Sequence, residues 1–73
     1  MKPIIVSPHA FERLESRKIN RPEVESTVNS PDWKGAVKHG KLKFIKQFGD
    51  RWLHVIVKEK SRYHILVTAY WGS

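Results

Sequence analysis

The sequence predicts an α+β domain in which two short amino-terminal helices pack on a four-stranded antiparallel meander sheet. Helix-starting signals, each a capping residue followed by proline, lie in the first third of the chain, at residues 7–8 and 20–22. From Trp33 onward apolar and polar residues alternate instead, which is typical of strands with one buried face. A length of 73 residues suits one small core, so we treat residues 1–73 as a single domain.

The first helix is expected to start at Ser7, a favourable N-cap, followed by Pro8, whose missing N–H would have no partner in the first turn. Basic side chains at i, i+4 and i+8 share one stripe of this helix: His9, Arg13 and Arg17. The neighbouring face is apolar and is expected to pack on the core: Ala10, Phe11 and Leu14. The helix therefore presents an imidazole and two guanidiniums beside its buried edge, an arrangement suited to an anion.

The second helix is predicted from Asn20 as N-cap, with Pro22 in the first turn and Glu23 completing a capping box. Val24 and Val28 give it one thin apolar face, and residues 29–31 end it. Before both helices, residues 1–6 are short and apolar and favour either an edge strand or an extended lead-in.

Turn signals divide the second half into four strands, at residues 33–38, 41–48, 51–58 and 63–70. His39-Gly40 and Gly49-Asp50 predict two-residue turns, and residues 59–62 form a third, polar turn. If the last turn holds an odd number of loop residues, one face of the sheet is apolar and forms the core: Leu42, Phe44, Leu53, Val55, Val57, Ile65, Val67 and Ala69. The side chains expected to cover that face from the helices are Phe11, Leu14, Val24 and Val28.

The opposite face interleaves cationic, aromatic and hydroxyl side chains: Lys41, Lys43, Trp52, His54, His64, Thr68 and Tyr70. Three apolar residues accompany them: Ile45, Ile56 and Leu66. Such a surface suits phosphates held by charge and bases stacked on rings. A half-buried second face or a dimer interface would use the same apolar residues.

The net charge of +7 and a pI near 10.1 indicate a polyanionic partner. From Val37 onward eight Lys and Arg residues face two Asp and Glu, so this part contributes 8 − 2 = +6. There is no cysteine, no apolar run of membrane-spanning length and no signal-peptide core, so we expect a cytoplasmic protein without membrane association. The histidines show no ligand spacing, and we expect neither a metal nor a cofactor.

The sequence lacks a carboxylate pair, a glycine-rich phosphate loop, a nucleophile elbow and a Cys/His cluster. The remaining His, Arg, Lys, Thr and Tyr side chains suffice for metal-independent RNA cleavage, in which the ribose 2′-hydroxyl attacks its own phosphate. RNA binding needs the same positive field but no proton transfer. Composition therefore leaves cleavage and simple binding both open.

Four segments of the chain form a pattern: Ser-Pro-His-Ala-x-x-Arg-x-x-x-Arg-x-Ile at residues 7–19, Pro-Glu-Val-Glu at 22–25, Ser-Pro-Asp at 30–32 and Val-Thr-Ala-Tyr at 67–70. This pattern resembles a family of small uncharacterised domains grouped with the RelE/BrnT-like ribonuclease toxins, which share a barnase, colicin E5 and RelE type of fold. The resemblance implies endoribonuclease cleavage of messenger or transfer RNA, restrained by an antitoxin. It maps the family's amino-terminal His and Arg residues to His9, Arg13 and Arg17, and its terminal-strand hydroxyl to Thr68, with Tyr70 beside Thr68.

We therefore expect a toxin-like endoribonuclease, with these candidate catalytic residues: His9, Arg13, Arg17, His54, Thr68 and Tyr70. His54 is included only because the predicted register places it on the face opposite the core. The candidate RNA-binding residues, by the same argument, are Lys41, Lys43, Trp52 and His64. Two alternatives remain: a non-catalytic RNA- or DNA-binding module, and a protein-interaction domain that recruits an acidic partner such as an antitoxin or forms a homodimer.

Overall fold

The computed structural model describes residues 2–72 as two helices and a five-stranded sheet. The helices are α1 (Pro8–Ser16) and α2 (Arg21–Asn29). The strands are β1 (Ile4–Ile5), β2 (Trp33–Val37), β3 (Lys41–Phe48), β4 (Arg51–Glu59) and β5 (His64–Gly72). Their order in the sheet is β1-β5-β4-β3-β2, and only the β1–β5 pairing is parallel. The α+β class is as predicted, and none of the described helices could cross a membrane.

The predicted four-stranded antiparallel sheet is incomplete because the amino terminus adds a fifth, parallel strand. Ile4 is in register with His64, and the His64 N–H donates to the Pro3 carbonyl over 2.9 Å. Pro3 itself precedes the strand, where its missing N–H costs no hydrogen bond of the sheet. Of the two expectations for residues 1–6, the edge strand is therefore correct, and the sheet is mixed.

Helix α1 begins as predicted but packs through a different set of residues. The Ala10 N–H donates to Ser7 Oγ over 3.2 Å, which completes the N-cap. Ala10 and Leu14 are buried, whereas Phe11 is 53% exposed, so its predicted place in the core is wrong. Ala10 and Leu14 are one turn apart, and Phe11 is rotated by about 100° from Ala10, toward solvent.

A Schellman motif ends α1 and orients the residues around its carboxyl terminus. The Ile19 N–H donates to the Leu14 carbonyl over 2.9 Å and the Lys18 N–H to the Glu15 carbonyl over 3.1 Å. Lys18 adopts a left-handed conformation with φ of 56°. Leu14 and Ile19 are both buried, so the motif adds a core residue that the helix pattern did not include.

Helix α2 also begins as predicted, since the Asn20 N–H donates to Glu23 Oε1 over 2.9 Å. Val24 is buried and Val28 is half-buried against the core. Thr27 is fully buried as well, and its hydroxyl donates to the Glu23 carbonyl over 2.8 Å. This internal hydrogen bond lets a polar side chain occupy the helix face that packs on the sheet.

The first two hairpins differ in how well the turn signals predict them. Phe48 pairs with Arg51 across the two-residue turn Gly49-Asp50, as predicted. The first hairpin has a three-residue loop, because Val37 rather than Lys38 pairs with Lys41. This shift by one residue reverses the faces of β2 relative to a two-residue turn.

The third hairpin has four loop residues, at 60–63, so the odd-numbered loop required by the predicted register is absent. His64 and Leu66 consequently lie on the core face, and both are buried. Val67 is then an extra residue, because Val57 pairs with Leu66 while Ile56 pairs with Thr68.

The even-numbered loop had already exchanged the two faces of β5 relative to the prediction. This β-bulge exchanges them again for the residues after Val67. Ala69 returns to the core face, as predicted, and Thr68 and Tyr70 lie on the opposite face, also as predicted. The predicted core positions of Ile65 and Val67 are wrong, and both side chains are half-buried outside the core.

Both helices pack on one face of the sheet, where the buried apolar side chains form a single cluster: Ile4, Ala10, Leu14, Ile19, Val24, Phe44, Leu53, Val55, Val57, Leu66 and Ala69. No described helix lies on the other face, which we call the open face. The register assigns it these positions: Ile5, Trp33, Gly35, Val37, Lys41, Lys43, Ile45, Gln47, Trp52, His54, Ile56, Lys58, Ile65, Thr68, Tyr70 and Gly72.

Candidate functional site

Two adjacent rows of side chains cross the open face at right angles to the strands. The aromatic row runs from β2 to β5 through directly paired residues: Trp33, Ile45, His54 and Tyr70. The lysine row lies beside it: Gly35, Lys43, Ile56 and Thr68. Directly opposed side chains on one face of a sheet lie side by side, so the members of each row are neighbours across the strands.

His54 is the histidine at the centre of this face. Its ring stacks on Tyr70 with centroids 4.9 Å apart and planes inclined by 12°. Burial lowers the pKa of His54 below its ordinary value of 6.5, and the nearby charge of Lys43 lowers this pKa further. Both causes disfavour the imidazolium, so His54 is neutral at pH 7.

The two ring nitrogens of His54 have different surroundings. Nδ1 is buried without a hydrogen-bond partner in the described chain. Nε2 lies against Gly72, where an added Cβ would come within 2.6 Å of it. The absence of a side chain at Gly72 therefore lets the imidazole pack against β5 at this position. Nε2 is the nitrogen left to exchange a proton with a ligand, because Nδ1 is buried.

Lys43 supplies a cation beside the stacked pair. Its Nζ is 5.7 Å from the centroid of the Tyr70 ring, within the range of a cation–π contact. The sheet positions of the open face carry no Asp or Glu, so no carboxylate within this face neutralises the charge. The lysine and aromatic rows together can attract an anion.

Arg17 brings the end of α1 to the edge of this face. Its Nη1 donates to Thr68 Oγ1 over 3.1 Å and to the Ala69 carbonyl over 2.8 Å. β1 pairs only with His64 and Ile65, so the following part of β5 has a free edge that accepts these bonds. Nε and Nη2 of Arg17 make no hydrogen bond within the described residues and can face a ligand.

His9 and Arg13 are exposed on α1, and neither side chain contacts the open face by a hydrogen bond within residues 2–72. The helix lies on the other side of the sheet, and its basic stripe reaches the open face through its last member alone. The structure thus brings Arg17 together with Thr68, whereas no hydrogen bond of the described residues links the side chain of His9 or Arg13 to them. A catalytic role for His9 and Arg13 stays a prediction from the resemblance.

The predicted place of His64 on the open face is wrong. Its side chain lies on the core face, is 8% exposed, and meets Phe44 edge-on with ring centroids 6.1 Å apart. Burial lowers the pKa of His64, and the charge of Lys2 lowers it further, while that of Glu59 opposes the shift. The four-residue loop causes this inversion, so a ligand on the open face does not reach His64.

Lys41 and Trp52 occupy the open face as predicted, and both are half-buried. Trp33 is an open-face residue that the sequence analysis missed. A two-residue first turn would have paired Trp33 with Lys46 on the core side, whereas the three-residue loop pairs it with Ile45. The neighbouring Gly35 was the available signal, because glycine inside a strand marks close approach by another group.

Other parts of the surface offer less chemistry. A cleft of about 270 Å³ lies between the amino-terminal segment and α2, lined by Lys2, Pro3, Ile4, Glu25 and Asn29. None of these residues belongs to the open face. Within residues 2–72, no three potential metal-ligating side chains come together.

Comparison with known proteins identifies a family but no activity. The family model described as "Domain of unknown function (DUF4258)" matches residues 6–71, which is nearly the whole chain. No curated protein sequence and no solved structure matches this chain.

Proposed function

This chain belongs to the DUF4258 family, and because that family's description assigns no activity, we propose a function from the open face: metal-independent endonucleolytic cleavage of RNA. One observation carries the proposal. A neutral imidazole, His54, stacks on a tyrosine whose ring also contacts a lysine, on a face without carboxylates. A base flanked by cations is what cleavage beside a phosphate requires.

His54 accepts the proton of a ribose 2′-hydroxyl through Nε2, and the 2′-oxygen attacks the adjacent phosphorus. The bond from phosphorus to the 5′-oxygen breaks, and the leaving oxygen takes a proton from the Tyr70 hydroxyl. Tyr70 then regains a proton from solvent and His54 releases its proton to solvent, which restores both side chains. The products are a 2′,3′-cyclic phosphate and a 5′-hydroxyl end. No further reactant is consumed.

Lys43 and Arg17 stabilise the negative charge that develops on the phosphoryl oxygens during attack. Thr68 holds the Arg17 guanidinium through its hydroxyl and thereby orients it toward the phosphate. Lys41 and Trp52 extend the cationic and aromatic surface along which the RNA lies.

A cleavage assay in EDTA tests the proposal. We expect the purified protein to cut single-stranded RNA and leave 2′,3′-cyclic phosphate ends, while DNA of the same sequence stays intact because it lacks the attacking hydroxyl. His54→Gln should lower kcat roughly 10²- to 10⁴-fold, since it removes the proton acceptor. The matched control is His39→Asn, a histidine exposed in the first hairpin loop, which should cleave at the wild-type rate.

Two other results would favour one of the alternative functions over RNA cleavage. Intact RNA at high protein concentration, together with salt-sensitive binding, would indicate a non-catalytic nucleic-acid-binding module. Neither cleavage nor binding, together with a stable dimer in sedimentation, would indicate a protein-interaction domain.

We extend the proposal to a toxin-like role in the cytoplasm, in which an acidic antitoxin protein covers the cationic open face. The net charge of +7 supports an acidic partner. The same His54→Gln variant tests this role, because expression of the wild-type chain should slow growth and expression of the variant should not. Equal growth of both strains would contradict a toxic activity.

A further inference from the structure

Trp33 is a half-exposed indole at the β2 end of the aromatic row, and the proposed cleavage step does not use it. It is 50% exposed, on a face that no described helix covers. The far end of the indole lies against Gly35, where an added Cβ would come within 2.5 Å of Cη2. The missing side chain of Gly35 therefore leaves room for the ring beside its own strand.

The distance between Trp33 and the far end of the aromatic row, at Tyr70, sets the length of RNA that could span both. Trp33 and Tyr70 are separated by three strand spacings, which is about 14 Å at the usual spacing of paired strands. That distance corresponds to a few nucleotides of an extended single strand. Ile45, which lies between them, is apolar and half-buried, and Lys43 lies two residues before it on the same face of β3.

We propose that Trp33 is a base-stacking platform that selects single-stranded RNA and directs it across the strands, from the His54–Tyr70 pair on one side to β2 on the other. This inference rests on the proposed ribonuclease function and adds the substrate class. Stacking requires an unpaired base whose face is free, and duplex RNA hides its base faces within the helix. Lys43, the cation of the lysine row, lies beside this path and holds a phosphate of the same segment.

Binding of an RNA that cannot be cleaved tests the platform directly. The probe is an end-labelled single strand of roughly ten nucleotides with 2′-O-methyl riboses, a length within the site sizes of small single-strand-binding folds. We expect Trp33→Ala to weaken its binding roughly 5- to 150-fold in fluorescence anisotropy, the range found when a stacking ring is removed. Trp33→Phe should retain most of the affinity and Trp33→Leu should not, because only the former keeps a ring.

Two further variants complete the test. Phe11→Ala is the matched control, since Phe11 is 53% exposed on α1 and lies outside the open face, and it should bind like the wild type. Gly35→Ala keeps the indole, but the added methyl group would collide with the ring and displace it. This variant should therefore weaken binding, as Trp33→Ala does. A blunt duplex of the same sequence should bind the wild type and Trp33→Ala equally.

The outcomes separate this inference from the function on which it rests. If the wild type cleaves RNA and Trp33→Ala binds the probe as tightly as the wild type, the platform is wrong and the ribonuclease stands. If Trp33→Leu binds as well as Trp33→Phe, stacking is wrong and simple apolar contact replaces it. If the wild type neither cleaves nor binds RNA, both proposals are wrong.

Discussion

His54 is the residue whose environment most directly serves the proposed chemistry. Stacking on Tyr70 fixes its ring, burial of Nδ1 leaves Nε2 for exchange, and the missing side chain of Gly72 lets the ring pack against β5. A neutral imidazole at pH 7 follows from burial first and from the charge of Lys43 second. These effects act at one side chain and are measurable without any substrate.

The pKa of His54 should therefore lie below 6.5 when its imidazole signals are followed by NMR as the pH is changed. Lys43→Gln removes the second cause and should move the pKa upward, toward 6.5. Lys41→Gln removes an equal charge from another row of the same face and serves as the control, with the pKa of His54 unchanged. A wild-type pKa above 6.5 would remove the reason for treating His54 as a base at neutral pH.

Among the structural elements, those delimited by local signals were predictable from the sequence. Ser7 and Asn20 cap their helices, and Gly49-Asp50 closes its hairpin, because each signal acts within four residues. The parallel pairing of β1 was not predictable, since it joins residues 60 positions apart.

The face of the sheet on which each β5 side chain lies depends on whether the preceding loop has an odd or an even number of residues. Neither the identity of the loop residues nor the alternation along the strand determines that number. Residues 60–63 make the last loop even, and the bulge at Val67 then restores the predicted face for Thr68 and Tyr70. His64 lies before the bulge and was therefore assigned to the wrong face. Trp33 was missed for a similar reason, because one extra residue in the first loop reversed β2.

The end of α1 offers a test of element-scale energetics at Lys18. Its φ of 56° disfavours any side chain, and glycine adopts this conformation without a steric cost. Lys18→Gly should raise the free energy of unfolding by roughly 0.5–1 kcal/mol, measured by urea denaturation. Lys38→Gly removes another exposed lysine whose φ is not positive, and it should leave stability unchanged or lower it. A loss of stability in Lys18→Gly would contradict the strain assigned to this position.

At the scale of the whole molecule, the sheet separates two environments. Its helix side holds the core together with the buried His64, and its open side holds a field of cations on a chain of net charge +7. Acid acts on both sides, because protonation of His54 or His64 adds charge to an already positive molecule. The stability of the domain should consequently depend on pH in a definite direction.

The pKa values of His54 and His64 are both lowered in the folded state, so below pH 6.5 the unfolded chain binds more protons than the folded one. The free energy of unfolding should therefore be constant above that pH and decrease as the pH falls through the folded-state pKa values. Lys2 and Lys34 add to the shift at His64, and Glu59 opposes it.

Urea denaturation at about pH 7.5 and about pH 5.5 measures this loss, which His64→Leu should reduce because it removes one of the two titrating groups. His39→Asn alters an exposed histidine in a hairpin loop and should leave the loss unchanged. The buried ring of His64 lies against Phe44, so the leucine variant retains an apolar contact there. An equal loss in His64→Leu and the wild type would mean that His64 is not a source of the acid sensitivity.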